Sequence, residues 1–308
     1  MTPADLLPNP AVKQTYSPKE IALAVGVSES SLKRWADKGK LEFVKTVGGH
    51  RRITFHEAIR FAREAQLPIL RPDVLGLPDL KPSDSFADGS PEQVLYTLLS
   101  EGRSPEARVM LMDLYLKGSS LASLADGPIM EAMRRIGELW RDDDSKGVYV
   151  EHRATDAMIQ AVTSLRALAT PQLSPEEDDR PIAIGGAPAQ DTHQLASIMI
   201  AAVVAETGFR DMNLGPDTPM DALLEAIRTH KPKLVWLSSS MAQTRPSDAE
   251  LRRLTDEVSL LGGFLVLGGA GFYEKAPPPS PRIKTCATLS ELAALASGML
   301  IGNESPAR

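Results

Sequence analysis

Y-S-P-K-E-I-A-L-A-V-G-V-S-E-S-S-L-K-R-W, from Tyr16 to Trp35, spells two short helices with a tight turn between them. Ser17 is placed to cap the first, with Pro18 at its opening position and Glu20 reaching back, while Ile21, Ala22 and Val25 supply an apolar face. Gly26-Val27 makes the turn. Ser28 caps the second helix, which sets Lys33, Arg34 and Lys38 beside the inward candidates Leu32 and Trp35 until Gly39 stops it. This is helix-turn-helix spacing. Farther on, K-T-V-G-G-H-R-R-I-T-F-H-E-A-I runs from Lys45 to Ile59. Leu41 to Lys45 and Arg51 to Thr54 are expected as short strands around Gly48-Gly49, so His50, Arg51 and Arg52 fall near the tip of a basic wing.

Charge distribution supports that placement. The chain carries a net charge of −6, yet residues 1–66 hold eleven Lys/Arg against seven Asp/Glu, a balance of +4 that leaves −10 for the remainder. Only the first part is therefore suited to meet phosphates. Guanidinium and ammonium groups pair with phosphate oxygens, which makes Lys33, Arg34, Lys38, His50, Arg51 and Arg52 the candidate contacts to double-stranded DNA. A solvated basic face on a protein-binding winged helix is the competing explanation. The single cysteine, Cys286, excludes an internal disulfide framework and any multi-cysteine metal site. With no signal peptide and no long apolar span, a soluble cytoplasmic protein without a membrane segment is expected.

The 308 residues, 43% of them hydrophobic, are enough for several cores. Residues 1–66 form the winged helix-turn-helix. Residues 67–89, with Pro68, Pro72, Pro78 and Pro82 and no sustained period, are expected to be a linker. Residues 90–170 predict a four-helix bundle: Ser90-Pro91 and Ser104-Pro105 begin helices that end at Gly102 and Gly118, and two more follow over roughly 121–141 and 150–169. A proline- and acid-rich joint precedes residues 181–302. There, short apolar runs, Ile182 to Gly185, Leu234 to Leu237 and Phe264 to Leu267, alternate with helical patterns. Such alternation implies a parallel sheet covered by helices, a Rossmann-like α/β domain.

In that domain the first strand leads into a loop with Asp191-Thr192-His193, where the crevice of a doubly wound sheet opens. Asp191 is two residues from His193 and is suited to accept one ring proton, which would fix the tautomer and raise the basicity of the other nitrogen towards a metal. Ser238, Ser239 and Ser240 end a second strand, and Gly268-Gly269 a third, so hydroxyls and bare backbone converge on one rim. Taken singly, a surface histidine, a polar strand end and a glycine pair are each commonplace.

Together these residues resemble the cobalamin-binding domain of corrinoid methyltransferases, mutases and light-sensing MerR-type regulators of the CarH kind. That family carries D-x-H-x-x-G after its first strand, a serine stretch after a middle strand and G-G after the next. The resemblance implies His193 as the lower ligand of cobalt, with Asp191 behind it and Ser238 to Ser240, Gly268 and Gly269 around the cofactor; Ala196 stands where the pattern has glycine. Trp140 and Glu151-His152 resemble the W-x9-E-H signature that covers the upper face of adenosylcobalamin, with ten residues, Arg141 to Val150, in between. The residue after the tryptophan is Arg141. The G-G-H-R-R tip is similar to the wing of MerR-type regulators, and the domain order matches along nearly the whole chain.

The resemblance implies a transcriptional regulator that binds operator DNA and senses cobalamin, adenosylcobalamin with light as the signal; separately, one recognition helix and wing offers few phosphate contacts, so a homo-oligomer, dimer or tetramer, is expected. One alternative is a regulator of the same architecture that has no cobalamin and answers to another chromophore or a protein partner. A corrinoid methyl carrier is the other. No nucleophile–base–orienter set, phosphate loop or metal cluster is visible in the sequence, so no enzymatic activity is expected.

Overall fold

Serine and threonine caps set out the N-terminal module. In the computed structural model, which describes residues 13–46, 48–77, 80, 89–139, 144–171, 173, 178–273 and 275–301, Ser17 Oγ accepts the Glu20 N–H at 3.2 Å. Glu20 Oε2 accepts the Ser17 N–H at 2.7 Å. This reciprocal box starts α1 (Pro18–Val25), and Gly26, left-handed at φ 70°, ends it. Ser28 caps α2 (Glu29–Asp37) and Thr54 caps α3 (Phe55–Glu64). The strands β1 (Thr15–Tyr16), β2 (Val44–Lys45) and β3 (Arg51–Thr54) pair antiparallel in the order β1-β3-β2. β1 was not legible in the sequence, and β2 begins at Val44, because Leu41 is drawn into the core instead. Tyr16, Ile21, Leu32, Ile53 and Phe61 are fully buried around that core, with the Trp35 ring 5.2 Å from Phe61.

The segment after α3 differs from the expected linker. The Leu70 and Arg71 N–H groups donate to Ala24 O at 2.8 and 3.1 Å, a short 3-10 turn follows at Pro72–Leu75, and the buried Tyr16 hydroxyl donates to Leu75 O at 2.9 Å. Leu75 and Leu77 are buried. Pro72 thus sits in a strap along α1 rather than in free chain, while residues 78, 79 and 81–88 of the expected linker lie outside the described residues.

Helices α4 (Pro91–Glu101), α5 (Ser104–Leu116), α7 (Met130–Glu138) and α8 (Asp144–Ala169) form the bundle. It packs with the N-terminal module in one compact unit, residues up to 120 and 127–172. The expected third helix is broken. A π-helical turn at Ala125–Ile129 contains Pro128, which has no N–H to give the helical ladder. Its first piece, α6 (Leu121–Leu124), belongs to the second unit, residues 121–126 and from 173 onward. There the Leu121 N–H donates to Glu206 at 2.8 Å, and the Asp126 carboxylate accepts the Leu289 and Ser290 N–H groups, both at 2.8 Å.

The second unit is built on a five-stranded sheet ordered β5-β4-β6-β7-β8, every described pair parallel. Its strands are β4 (Ile182–Pro188), β5 (Arg210–Thr218), β6 (Leu234–Ser238), β7 (Phe264–Gly268) and β8 (Ile283–Thr285). Alternate side chains serve opposite faces. Ile184, Val235, Leu237, Leu265 and Leu267 pack against Leu223, Leu224 and Ile227 of α10 (Met220–His230) and Leu251, Leu254 and Val258 of α11 (Asp248–Leu260). Ala183, Leu234, Trp236 and Val266 meet Ile200, Ala201 and Val204 of α9 (Leu195–Glu206) and Leu292 and Ala296 of α12 (Leu289–Ile301). Both faces are dry, as a parallel sheet requires. Among the described residues no helix is long and apolar enough to cross a membrane.

Candidate cofactor site and nucleic-acid interface

The strand order reverses between β4 and β6: the chain steps to one side of β4 for β5, then to the other for β6 and onward. A doubly wound sheet binds ligands beyond the carboxyl ends of strands at such a switch point. The loops after β4 and β6 meet there. After β4, Gln190 turns the chain through the left-handed region at φ 70°, and its N–H is held by Asp217 Oδ1 at 2.7 Å. Asp191 follows, with its side chain wholly removed from solvent.

A carboxylate buried this deeply needs donors on every lone pair. Asp191 Oδ2 accepts the Ser240 N–H at 2.6 Å and the Thr244 hydroxyl at 3.2 Å. Oδ1 accepts the His193 N–H at 3.1 Å and faces His193 Nδ1 at 3.0 Å, and the Ser240 hydroxyl spans both oxygens at 2.8 Å. Burial pushes the Asp191 pKa up, but the hydrogen bonds from Ser240 and His193 outweigh it and hold the group below its ordinary value. The carboxylate is therefore ionised at neutral pH and can only accept. The proton between it and the imidazole belongs to Nδ1, so in the neutral ring the lone pair is on Nε2, and the side chain is 57% exposed. Such an imidazole is prepared to donate to a soft or borderline metal.

The serine stretch divides its work. Ser238 is buried at the end of β6, in register with Gly268. Ser239, fully buried, uses its N–H on Gly268 O at 3.0 Å and its hydroxyl on Met241 O and Thr244 Oγ1, both at 2.9 Å. Ser240 alone reaches Asp191. Gly269 stands at φ 89°, where a Cβ would lie 2.3 Å from Ser239 O, so both its backbone angle and its close approach demand glycine. Ala196 occupies the first turn of α9, half-buried and helical, a position alanine takes without strain. Thr244 and Asp217 were missed in the sequence, because their contacts arise only when separate strand ends are brought together.

Glu151, half-buried, and His152, exposed, lie on α8 of the helical unit. Trp140 and Arg141 lie outside the described residues. In the N-terminal module Lys33 and Arg34 are exposed on α2 and Lys38 just after it, as are His50 and Arg51 at the wing. The wing closes on itself: the Thr46 N–H donates to His50 O at 3.0 Å and the His50 N–H to Thr46 Oγ1 at 3.2 Å. Arg52 is half-buried and points away from Arg51. Strand alternation turns it from Arg51, which stacks 5.4 Å from the Phe43 ring, to the side of α1, where it meets Glu20 at 3.7 Å.

Comparison with known proteins bears on the domains of the chain. A helix-turn-helix domain model matches residues 15–65, and two B12 binding domain models match residues 92–166 and 157–276. The match to a helix-turn-helix domain is thus followed along the chain by matches to B12 binding domains. No curated protein matches it. Among solved structures it is similar to the monomethylamine corrinoid protein of Methanosarcina barkeri, at a TM-score of 0.50 and 16% identity, over 67% of this chain and 96% of that one. It is also similar to the methanol:cobalamin methyltransferase complex of Methanosarcina barkeri, at a TM-score of 0.34 and 16% identity over 89% and 93%. A third is a cobalamin-binding protein of Desulfitobacterium hafniense, at 0.29 and 14% over 70% and 98%. The first of these supports the corrinoid-protein fold of the bundle and sheet. The domain set as a whole fits a DNA-binding, cobalamin-binding protein.

Proposed function

We propose that this chain is a transcriptional regulator of the MerR type, without enzymatic activity of its own, that reads operator DNA as a homo-oligomer and senses adenosylcobalamin. The observation that carries the reading is the Asp191–His193–Ser240 cluster at the switch point of a sheet whose chain begins with a helix-turn-helix domain. The donor set fits a corrinoid: one exposed imidazole, a buried carboxylate facing its Nδ1, and glycine backbone on the adjoining rim. His193 would ligate cobalt, Asp191 and Ser240 would hold the ring in place, and Ser238, Ser239, Gly268 and Gly269 would border the group. Trp140, Glu151 and His152 are assigned to its upper side by resemblance. When bound, adenosylcobalamin supplies a cobalt–carbon bond that visible light can break, which is the proposed signal.

A single recognition helix and wing offers few phosphate contacts, so useful specificity calls for two or more copies on spaced half-sites. The test is to mix the purified chain with adenosylcobalamin, desalt it, and record the visible spectrum and a gel shift in darkness and after green light. A coloured protein fraction whose DNA shift changes on illumination is expected. A colourless fraction overturns the cobalamin assignment; a coloured fraction with no DNA shift favours a methyl carrier.

A further inference from the structure

Helix α3 of the DNA-reading module is occupied on both sides. One side builds the module's own core through Ala58, Ile59, Phe61 and Ala62. The other carries His56 and Arg63, and both reach helix ends of the bundle. His56 Nε2 lies 3.0 Å from Ala167 O in the last turn of α8. Arg63 donates from Nε to Tyr115 O at 2.9 Å and from Nη2 to Ser119 O at 2.8 Å, beyond the end of α5, with its guanidinium 3.6 Å from the Tyr115 ring centroid. The last carbonyls of a helix have no intrahelical donors and carry its negative partial charge. A guanidinium and an imidazole N–H are the groups that satisfy them.

We propose that His56 and Arg63 form a clamp that fixes the orientation of the DNA reader on the bundle. The clamp leaves Lys33, Arg34, Lys38 and Arg51 exposed, so it is compatible with DNA contact. The strap over 70–77 strengthens the case, since its bonds to Ala24 O tie the chain after α3 to α1. The consequence for regulation rests on the function proposed above. With the reader clamped, the spacing of half-sites follows from how the sensor parts of separate copies assemble. One continuous helix, α8, bears Glu151 and His152 and ends at His56.

The clamp is tested without DNA or cofactor. Spin labels are placed at Lys19→Cys on α1 and Gln160→Cys on α8, both exposed positions, in a full-length Cys286→Ser chain diluted with unlabelled protein so that only distances within one copy are read. Pulsed electron resonance should give one narrow distance distribution. Adding His56→Phe and Arg63→Met, which keep bulk but remove the donors, should broaden it several-fold while helical content by circular dichroism is retained. A broad distribution in the parent overturns the proposal, and so does a double variant as narrow as the parent. Either result leaves the cobalamin and DNA assignments standing, because neither group is present in the measurement.

Discussion

Asp191 and His193 are bonded neighbours with opposite energetic roles, and substitution separates them. Asp191 accepts from Ser240, Thr244 and His193 while fully buried, so it ties the loop after β4 to the loop after β6. Asparagine in its place turns an NH2 towards donors that need an acceptor. Asp191→Asn should therefore destabilise the α/β unit by about 2–3 kcal/mol, the scale of a lost hydrogen bond to a charged group, measured by denaturant unfolding. His193→Ala takes away one of the several donors to the Asp191 carboxylate and leaves the backbone N–H of residue 193 in place, so it should cost less than Asp191→Asn, about 1 kcal/mol. The same change should lower corrinoid affinity by roughly tenfold to a hundredfold and remove the histidine-bound spectrum. Equal affinity without His193 would end its assignment as a ligand. Glu20 gives a residue-scale prediction in the other unit. A bond from Lys13 at 2.6 Å, with the Ser17 N–H, holds its pKa down to about 2 from an ordinary 4.5. A folded pKa below the unfolded one adds stability above pH 4.5 that is lost as pH falls towards 2. Glu20→Gln should flatten the melting temperature of the DNA-reading module over that acid range and leave the slope near neutrality alone.

Elements whose boundaries are written in local chemistry were legible. The Ser17 box, the Ser28 cap and the Gly26 turn each depend on residues within four positions of one another, and all three are found. The apolar runs at 182–185, 234–237 and 264–267 sit in β4, β6 and β7 for the same reason. Elements decided by distant partners were not legible. β1 exists because Thr15 and Tyr16 find Thr54 and Ile53, and α6 leaves the bundle because Glu206 and Asp126 tie it to the α/β unit. Of the site, Asp191 and His193 were readable as a pair, whereas Thr244 joins them only across two strand ends. The wing shows how alternation refines a composition argument. Arg51→Ala should weaken DNA binding on operator and random sequences alike and reduce the salt slope by about 1. Arg52→Ala should instead cost the module less than about 1 kcal/mol through its half-exposed pair with Glu20, with little change in the slope. Equal losses of DNA affinity in gel shifts at several salt concentrations would place both arginines on phosphate.

At the scale of the molecule, the division at residue 66 cuts through a folded body. Composition made 67–89 look like free chain because proline and glycine are abundant there. Yet the strap from Leu70 to Leu77 closes the module with two bonds to Ala24 O and one from Tyr16 to Leu75 O. A fragment ending at residue 66 leaves the buried Tyr16 hydroxyl without its acceptor and uncovers the apolar surface that Leu75 and Leu77 protect. Each loss is worth about 1–2 kcal/mol. For a domain of this size each kcal/mol moves the melting temperature by about 4–8 °C. A fragment of residues 1–80 should therefore melt more than about 8 °C above one of residues 1–66, and both should show the same helical signal per residue from α1 to α3. Tyr16→Phe in the longer fragment should recover part of the difference by removing the hydroxyl bond alone. Coincident melting of the two fragments would return the strap to the status of a linker, and would leave the His56–Arg63 clamp as the element that sets where the DNA reader sits.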